Sequence, residues 1–430
     1  MNGSRRCAAA THRATRAIAA AALVAGLVAG CASFPDSAAS FTVQPSLSPV
    51  QPSVVVPSPP TPPSPSRPPA STTTTPTTGS PSSPSTPPES APPTATSPSD
   101  PTSTAPTNPC APTDPAVVAT CLAAPWGLAP LPDGTSALVG ERTTGKIWQV
   151  GIQQPQSVVA TIDGIDASGD GGLLGIALSP YYPEDGLVYA YVTTKDDNRI
   201  LRFAPGQTPK AILTGIPKGT THNGGPLVFG SDDLLYVATG DAGNARAAAA
   251  PTSLAGKVLR LDTFGKPATG NPGGTAVYAR GFSDPTGICP LPDGRVAVLD
   301  HRPTADLLLP VTSGTDFTTP ASGAALWTYQ PGDGGASDCT VSAGYLLATS
   351  LDATKITSIQ MTTTGSFTGS PQDLVKGAYG RLLSAVTGAR DLVWATTSNK
   401  DGHGSPVSSD DRVIVLPAAA GGGGGGGSPD

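Results

Sequence analysis

A basic surplus is missing from this 430-residue chain: its formal charge is −6 at pH 7. A protein that grips phosphate backbones shows a basic footprint, so nucleic-acid binding is excluded as a function class. Aromatic residues make up 5% of the chain and are almost missing from residues 35–109, so that stretch has little to build a core with. Histidine occurs four times, which narrows the candidates for acid–base chemistry. Beyond residue 30 no segment is apolar enough to span a bilayer. The glycine run Gly421–Gly427 lacks a following lysine and any flanking strand and helix, so it reads as a tail and not a phosphate loop.

The first thirty residues have a definite layout. Arg5, Arg6, Arg13 and Arg16 precede the apolar stretch Ala17–Gly30. That stretch falls short of the roughly 20 residues of a membrane span and has the form of a signal peptide. It ends in Val28-Ala-Gly-Cys31, which resembles the lipobox of bacterial lipoproteins. The resemblance implies removal of residues 1–30 and a lipid on Cys31, holding the protein on the extracytoplasmic side of the cell membrane. Two or three acyl chains, at about 0.8 kcal/mol per buried methylene, would make that anchor durable. The alternative is an ordinary signal peptide with an incidental cysteine. Losing the four arginines takes the charge from −6 to about −10, which serves solubility.

Residues 31–109 are dominated by Pro, Ser and Thr, and from 35 onward Asp36, Arg67, Glu89 and Asp100 are the charged positions. Such a composition buries too little apolar surface to offset its ordering entropy, and proline keeps it extended, so a disordered stalk is expected. Residues 419–430 form the glycine-rich tail. Between them, 110–418 is long enough for one large core. It carries Cys110, Cys121, Cys289 and Cys339, an even count that suggests two disulfides in an oxidising compartment. Of the three connectivities, neighbour pairing (Cys110–Cys121 and Cys289–Cys339) is the one expected here.

This region reads as strands. Runs such as Lys146–Val150, Leu187–Val192, Arg199–Phe203, Lys257–Leu261 and Arg412–Leu416 are short, β-prone and bounded by Asp, Gly and Pro turns. Pro125-Trp-Gly-Leu-Ala-Pro-Leu-Pro-Asp-Gly134 recurs 160 residues later as Pro285-Thr-Gly-Ile-Cys-Pro-Leu-Pro-Asp-Gly294. Related turns between them suggest a unit of about 50 residues, the size of one four-stranded propeller blade. The expected fold is therefore an all-β, six-bladed β-propeller, with a β-sandwich as the structural alternative. Residues 303–325 are poor in strand signals and read as a loop insertion.

With these residues in view, the domain resembles the glucose/sorbosone dehydrogenase family. Leu131-Pro-Asp-Gly134 with Glu141-Arg142 and Gly145-Lys-Ile147 is similar to its first blade. Thr221-His-Asn-Gly-Gly225, followed by Leu234-Leu-Tyr-Val-Ala-Thr-Gly-Asp241, resembles the segment carrying the family's catalytic histidine. Ala255-Gly-Lys-Val-Leu-Arg-Leu-Asp262, Asn271-Pro272 and Tyr278-Ala-Arg-Gly281 resemble the block that follows. The resemblance implies a quinoprotein using pyrroloquinoline quinone (PQQ) and calcium to oxidise a sugar or other polyol. It makes His222 the base; Arg280 and Arg142 are available to meet cofactor carboxylates and Asn223 is a further candidate cofactor-binding residue, while no metal ligand is assigned. Imidazole suits proton abstraction because its ordinary pKa lies near neutrality.

The departures point another way. Ser283 and Asp284 stand where the family shows an Arg-Asn pair, and Val298-Leu-Asp-His-Arg302 replaces a Thr-Glu-His-Gly-like stretch. The acidic segment that follows in the family has no counterpart in Arg302–Pro310. On these grounds the reading placed first is a tethered propeller with a degenerate quinone site, binding a cell-envelope carbohydrate or protein. There Glu141 and Arg142 would form a structural charged pair. The alternative reading is the PQQ- and calcium-dependent oxidoreductase.

Overall fold

The computed structural model describes residues 108–417. Cys31, the signal segment, the Pro/Ser/Thr stretch and the glycine-rich tail lie outside the described residues. Within them the chain forms six antiparallel four-stranded sheets, the blades of a propeller. Blade 1 comprises Pro125–Pro130, Ser136–Glu141, Lys146–Gly151 and Gln154–Thr161. Blade 2 comprises Leu173–Leu178, Val188–Thr193, Asn198–Phe203 and Lys210–Ile216. Blade 3 runs from Gly224 to Arg280, blade 4 from Asp284 to Tyr329 and blade 5 from Asp338 to Leu374. Blade 6 takes Leu382–Thr387, Val393–Thr397 and Val413–Leu416 from one end of the domain and Val117–Ala119 from the other. That borrowed strand pairs Val117 with Ile414, so the ring closes with strands from both ends and hides its edges.

Burial follows a strand's place in its blade. The second strands of blades 1, 2, 3 and 6 are buried throughout. Outermost strands such as Gln154–Thr161 and Phe367–Leu374 are mostly exposed and polar. Apolar clusters fill the wedges between neighbouring blades. One packs Leu138 and Ile147 of blade 1 against Leu173 and Val188 of blade 2, and another joins Trp394 of blade 6 to Leu128 and Val139 of blade 1.

The decapeptide repeat now has a physical explanation. Each copy spans an innermost strand and its turn into the second strand, in blades 1 and 4. Gly134 and Gly294 close those turns at φ of 69° and 84°, a region that favours glycine. The inner glycines answer a different need. A Cβ on Gly127 would lie 2.8 Å from the backbone nitrogen of Ile176, and one on Gly287 would lie 2.5 Å from the Asp338 carboxylate. Innermost strands of adjacent blades therefore approach too closely for a side chain there.

Both expected disulfides are present, Cys110–Cys121 and Cys289–Cys339, with Cα separations of 5.7 and 5.8 Å. The second joins the innermost strands of blades 4 and 5. One expectation is corrected: Ala305–Val311, inside the stretch read as a loop insertion, is a strand paired along its length with Val296–Arg302. Its Leu-Leu-Leu-Pro run lacks alternation because Leu308 and Leu309 are both buried.

Candidate active site

A cavity of about 610 Å³ opens at the end of the ring where innermost strands begin and second strands finish. Trp126, Pro226, Thr286 and Ser384 border both this cavity and a channel lined by all six innermost strands. The cavity therefore sits over the propeller axis.

His222 stands beside it and is not itself among the lining residues. Asn223, which follows, lines the cavity, as does Asp170, whose carboxylate accepts the His222 backbone N–H at 3.3 Å. The His222 side chain is about one-third exposed. Its Nδ1 lies 2.9 Å from Oδ1 of buried Asp241. That carboxylate also accepts the Gly243 N–H at 2.7 Å, so it is held before it holds the imidazole. With Nδ1–H donated to Asp241, Nε2 keeps its lone pair and can accept a proton.

The surrounding backbone fixes this geometry. His222 takes φ of 57°. Its carbonyl accepts the Ala242 N–H at 3.0 Å, locking the loop to the segment carrying Asp241. Asn223 is committed to the same task. Its Oδ1 accepts from Asn198 Nδ2 and the Gly219 N–H, its Nδ2 donates to the Gly219 carbonyl, and its own carbonyl takes the Tyr191 hydroxyl. The excursion after Asp241 is pinned by buried Lys257, whose Nζ donates to the carbonyls of Ala247, Ala248 and Ala255. Burial pushes that ammonium down to about 8.

A second imidazole occupies the blade 4 side. His301 lines the cavity, and its Nδ1 meets Asp306 Oδ1 at 2.5 Å. Asp306 is buried and also accepts the Ala336 N–H at 2.7 Å. The Asp306 hydrogen bond raises the His301 pKa. Between the two histidines lies Asp284, the strand partner of His301. Burial raises its carboxyl pKa, while His222 and His301 oppose that rise. Behind them, burial pushes Asp300 up to about 6 despite Arg302 Nε at 2.7 Å and the N–H groups of Ser283 and Asp284.

The candidate cofactor residues are placed unevenly. Arg142 lies beneath the wall: Nη1 donates to the carbonyls of Gly169 and Gly171, and the guanidinium stacks over Trp126 at 5.4 Å. It forms no pair with Glu141, which instead accepts the Ala123 N–H and the Thr144 hydroxyl. The expected charged pair is thus replaced by two separate anchors. Arg280 is not among the cavity-lining residues and pairs with Asp316 at 2.8 Å. The lining arginines are Arg302 and Arg381, and Arg381 holds Asp352 at 2.7 Å and Asp401 at 2.8 Å.

Comparison with known proteins places this architecture. The Glucose / Sorbosone dehydrogenase family model matches residues 122–322. The solved PQQ-bound form of an aldose sugar dehydrogenase from Streptomyces coelicolor is 34% identical. That match covers 70% of this chain and 95% of the other, at a TM-score of 0.65. The chain belongs to the glucose/sorbosone dehydrogenase family. Quinoprotein glucose dehydrogenase B of Acinetobacter calcoaceticus is 29% identical over 238 residues, 45% of this chain and 49% of that protein. Aldose sugar dehydrogenase YliI of Escherichia coli is 28% identical over 188 residues, 38% of this chain and 49% of that protein. The chain thus spans about half the length of these curated relatives.

Membership did not require finding Asp241 or His301 as site residues. Asp241 closes a quoted motif, yet its contact with His222 depends on pairing Gly224–Phe229 with Leu235–Thr239. Arg381 carried no signal at all, since blade 6 brings it to the cavity. Among the described residues no group of three or more His, Cys, Asp or Glu side chains is arranged to hold a metal ion.

Proposed function

We propose that this propeller is an extracytoplasmic dehydrogenase acting on a sugar or other polyol, with His222 as the base. The observation that carries the reading is the His222–Asp241 pair beside the axial cavity, in a chain of this family. His222 Nε2 would take the proton of a substrate hydroxyl, and Asp241 would stabilise the imidazolium that results.

The wall suits the relatives' quinone. The cavity has the volume for a small polycyclic molecule, and Thr286 Oγ1 on its wall is a buried polar atom without a partner. Arg302 Nη1 and Arg381 Nη2 donate to no protein partner among the described residues, which leaves each guanidinium an N–H edge to offer a carboxylate. Trp126 would lie against a flat ring. What a bound quinone supplies is an acceptor for hydride. The residues around it position the polyol, exclude water and hold the abstracted proton on His222.

A second reading is a propeller that binds an envelope carbohydrate or protein without oxidising it. One observation favours it: both lining arginines are already paired with aspartates. Calorimetry of the purified protein with PQQ and calcium, followed by dye reduction over a panel of aldoses and polyols, separates the two. Micromolar quinone binding with dye reduction supports the dehydrogenase. Carbohydrate binding with neither would replace it by the binding module.

A further inference from the structure

The charged groups around the cavity divide into engaged and unengaged. Arg302 is used by Asp300, Arg381 by Asp352 and Asp401, and Asp306 by His301. Asp284 differs. It lines the cavity, yet its carboxylate accepts no hydrogen bond from any described residue, although its own N–H is spent on Asp300. Asp170, also on the wall, uses one oxygen on the His222 N–H at 3.3 Å, and Arg142 is the cation facing it. A carboxylate partly withdrawn from water and without a protein partner carries a cost. Burial is the main reason its carboxyl titrates above the usual range; Asp170 and Asp241 add to the rise, while His222 and His301 oppose it.

One ligand chemistry relieves this arrangement. A primary ammonium brings both charge and N–H donors to the unengaged oxygens. A neutral hydroxyl brings a donor alone, and an anion meets repulsion from Asp170, Asp241, Asp284 and Asp306. The position matters as much as the charge, because Asp284 lies between the two imidazoles and next to the proposed base.

We propose that Asp284 is a specificity determinant, and that the substrate is a sugar or polyol bearing a primary amine close to the hydroxyl presented to His222. The assignment rests on reading His222 as the base. Asp284 binds the ammonium, and Asp170 strengthens the local field.

Calorimetry of the full chain without quinone tests this, using glucosamine, N-acetylglucosamine, glucose and gluconate as probes. Glucosamine is expected to bind at least tenfold more tightly than glucose, with N-acetylglucosamine near glucose and gluconate weakest. Asp284→Asn should bring the glucosamine-to-glucose ratio close to one, and Asp284→Glu should restore part of it. Equal affinities, undetectable glucosamine binding, or a preference that survives Asp284→Asn would overturn the proposal. Dye reduction with quinone present reports separately on the dehydrogenase reading. Selective glucosamine binding without turnover of any sugar removes that reading while the ammonium preference stands.

Discussion

The two walls of the cavity are built on different electrostatic plans. On the side of blades 2–4, His301 on the wall and His222 beside it each lean on a buried aspartate, Asp284 accepts no hydrogen bond from any described residue, and the lining Arg302 is held by Asp300. On the side of blades 5 and 6, Arg381 is spread across Asp352 and Asp401. The first wall can move protons and receive a cation; the second offers a restrained positive edge. The Glucose / Sorbosone dehydrogenase model covers residues 122–322, which takes in the first wall and stops short of Arg381. The difference teaches that a site on a propeller axis is divided among blades, so departures on one wall do not report on the other.

The largest effect should come from the first wall. Replacing His222 by Ala is expected to lower kcat for dye reduction about 10²–10⁴-fold without moving Tm appreciably, since the side chain is partly exposed. Asp241→Asn should fall in the same range for a tautomeric reason. An amide donating to Nδ1 would leave the ring proton on Nε2, the atom that must accept. A silent His222→Ala in an otherwise active enzyme would move the base elsewhere and dissolve the contrast between the walls.

The Cys289–Cys339 bridge joins the innermost strands on which the walls rest. The double replacement by Ala should cost about 2–4 kcal/mol of unfolding free energy, read from urea titration. If the walls act as one unit, quinone affinity should fall along with stability.

Asp338 lies below that junction. It lines the channel, and its oxygens accept the N–H groups of Cys339 and Ala385, tying blade 5 to blade 6. Deep placement pushes its carboxyl up to about 7. Between pH 4 and 7 the unfolded chain ionises this group while the folded chain keeps its proton. Stability should therefore decline as pH rises through that window, and the decline should end above 7. Asp338 borders the channel and is not fully buried, so the loss should be held to about 1–2 kcal/mol. Asp338→Asn should flatten the slope of unfolding free energy against pH even if it lowers stability overall.

How much of this was legible in the sequence follows from burial and from distance along the chain. Second strands such as Leu235–Thr239 are buried on both faces and announce themselves. Outermost strands such as Phe367–Leu374 face solvent and carry no apolar pattern. The 160-residue repeat matched three units of about 50 residues because three blades separate its copies, and the length of the domain then set the count at six. His222 was visible as a scarce residue beside Gly224 and Gly225. Its partner Asp241 carries no such signal, because the contact is made by strand pairing and not by proximity in sequence. Asp284 stands where the family's Arg-Asn pair is lost; the structure shows a cavity-lining carboxylate that accepts no hydrogen bond from any described residue.

Two arginines give the finest test of the contrast. Arg381 borders the cavity and Arg280 does not. Arg381→Ala removes the second wall's cationic edge and should weaken quinone binding about tenfold or more, the scale of a lost charge-assisted hydrogen bond. Arg280 forms a half-exposed pair with Asp316, a kind of contact worth about 0–1 kcal/mol. Arg280→Ala should leave quinone affinity unchanged in calorimetry and shift unfolding by no more than that. If Arg280→Ala weakened the quinone as much as Arg381→Ala, the positive edge would belong to blade 3, and the division of labour between the walls would have to be redrawn.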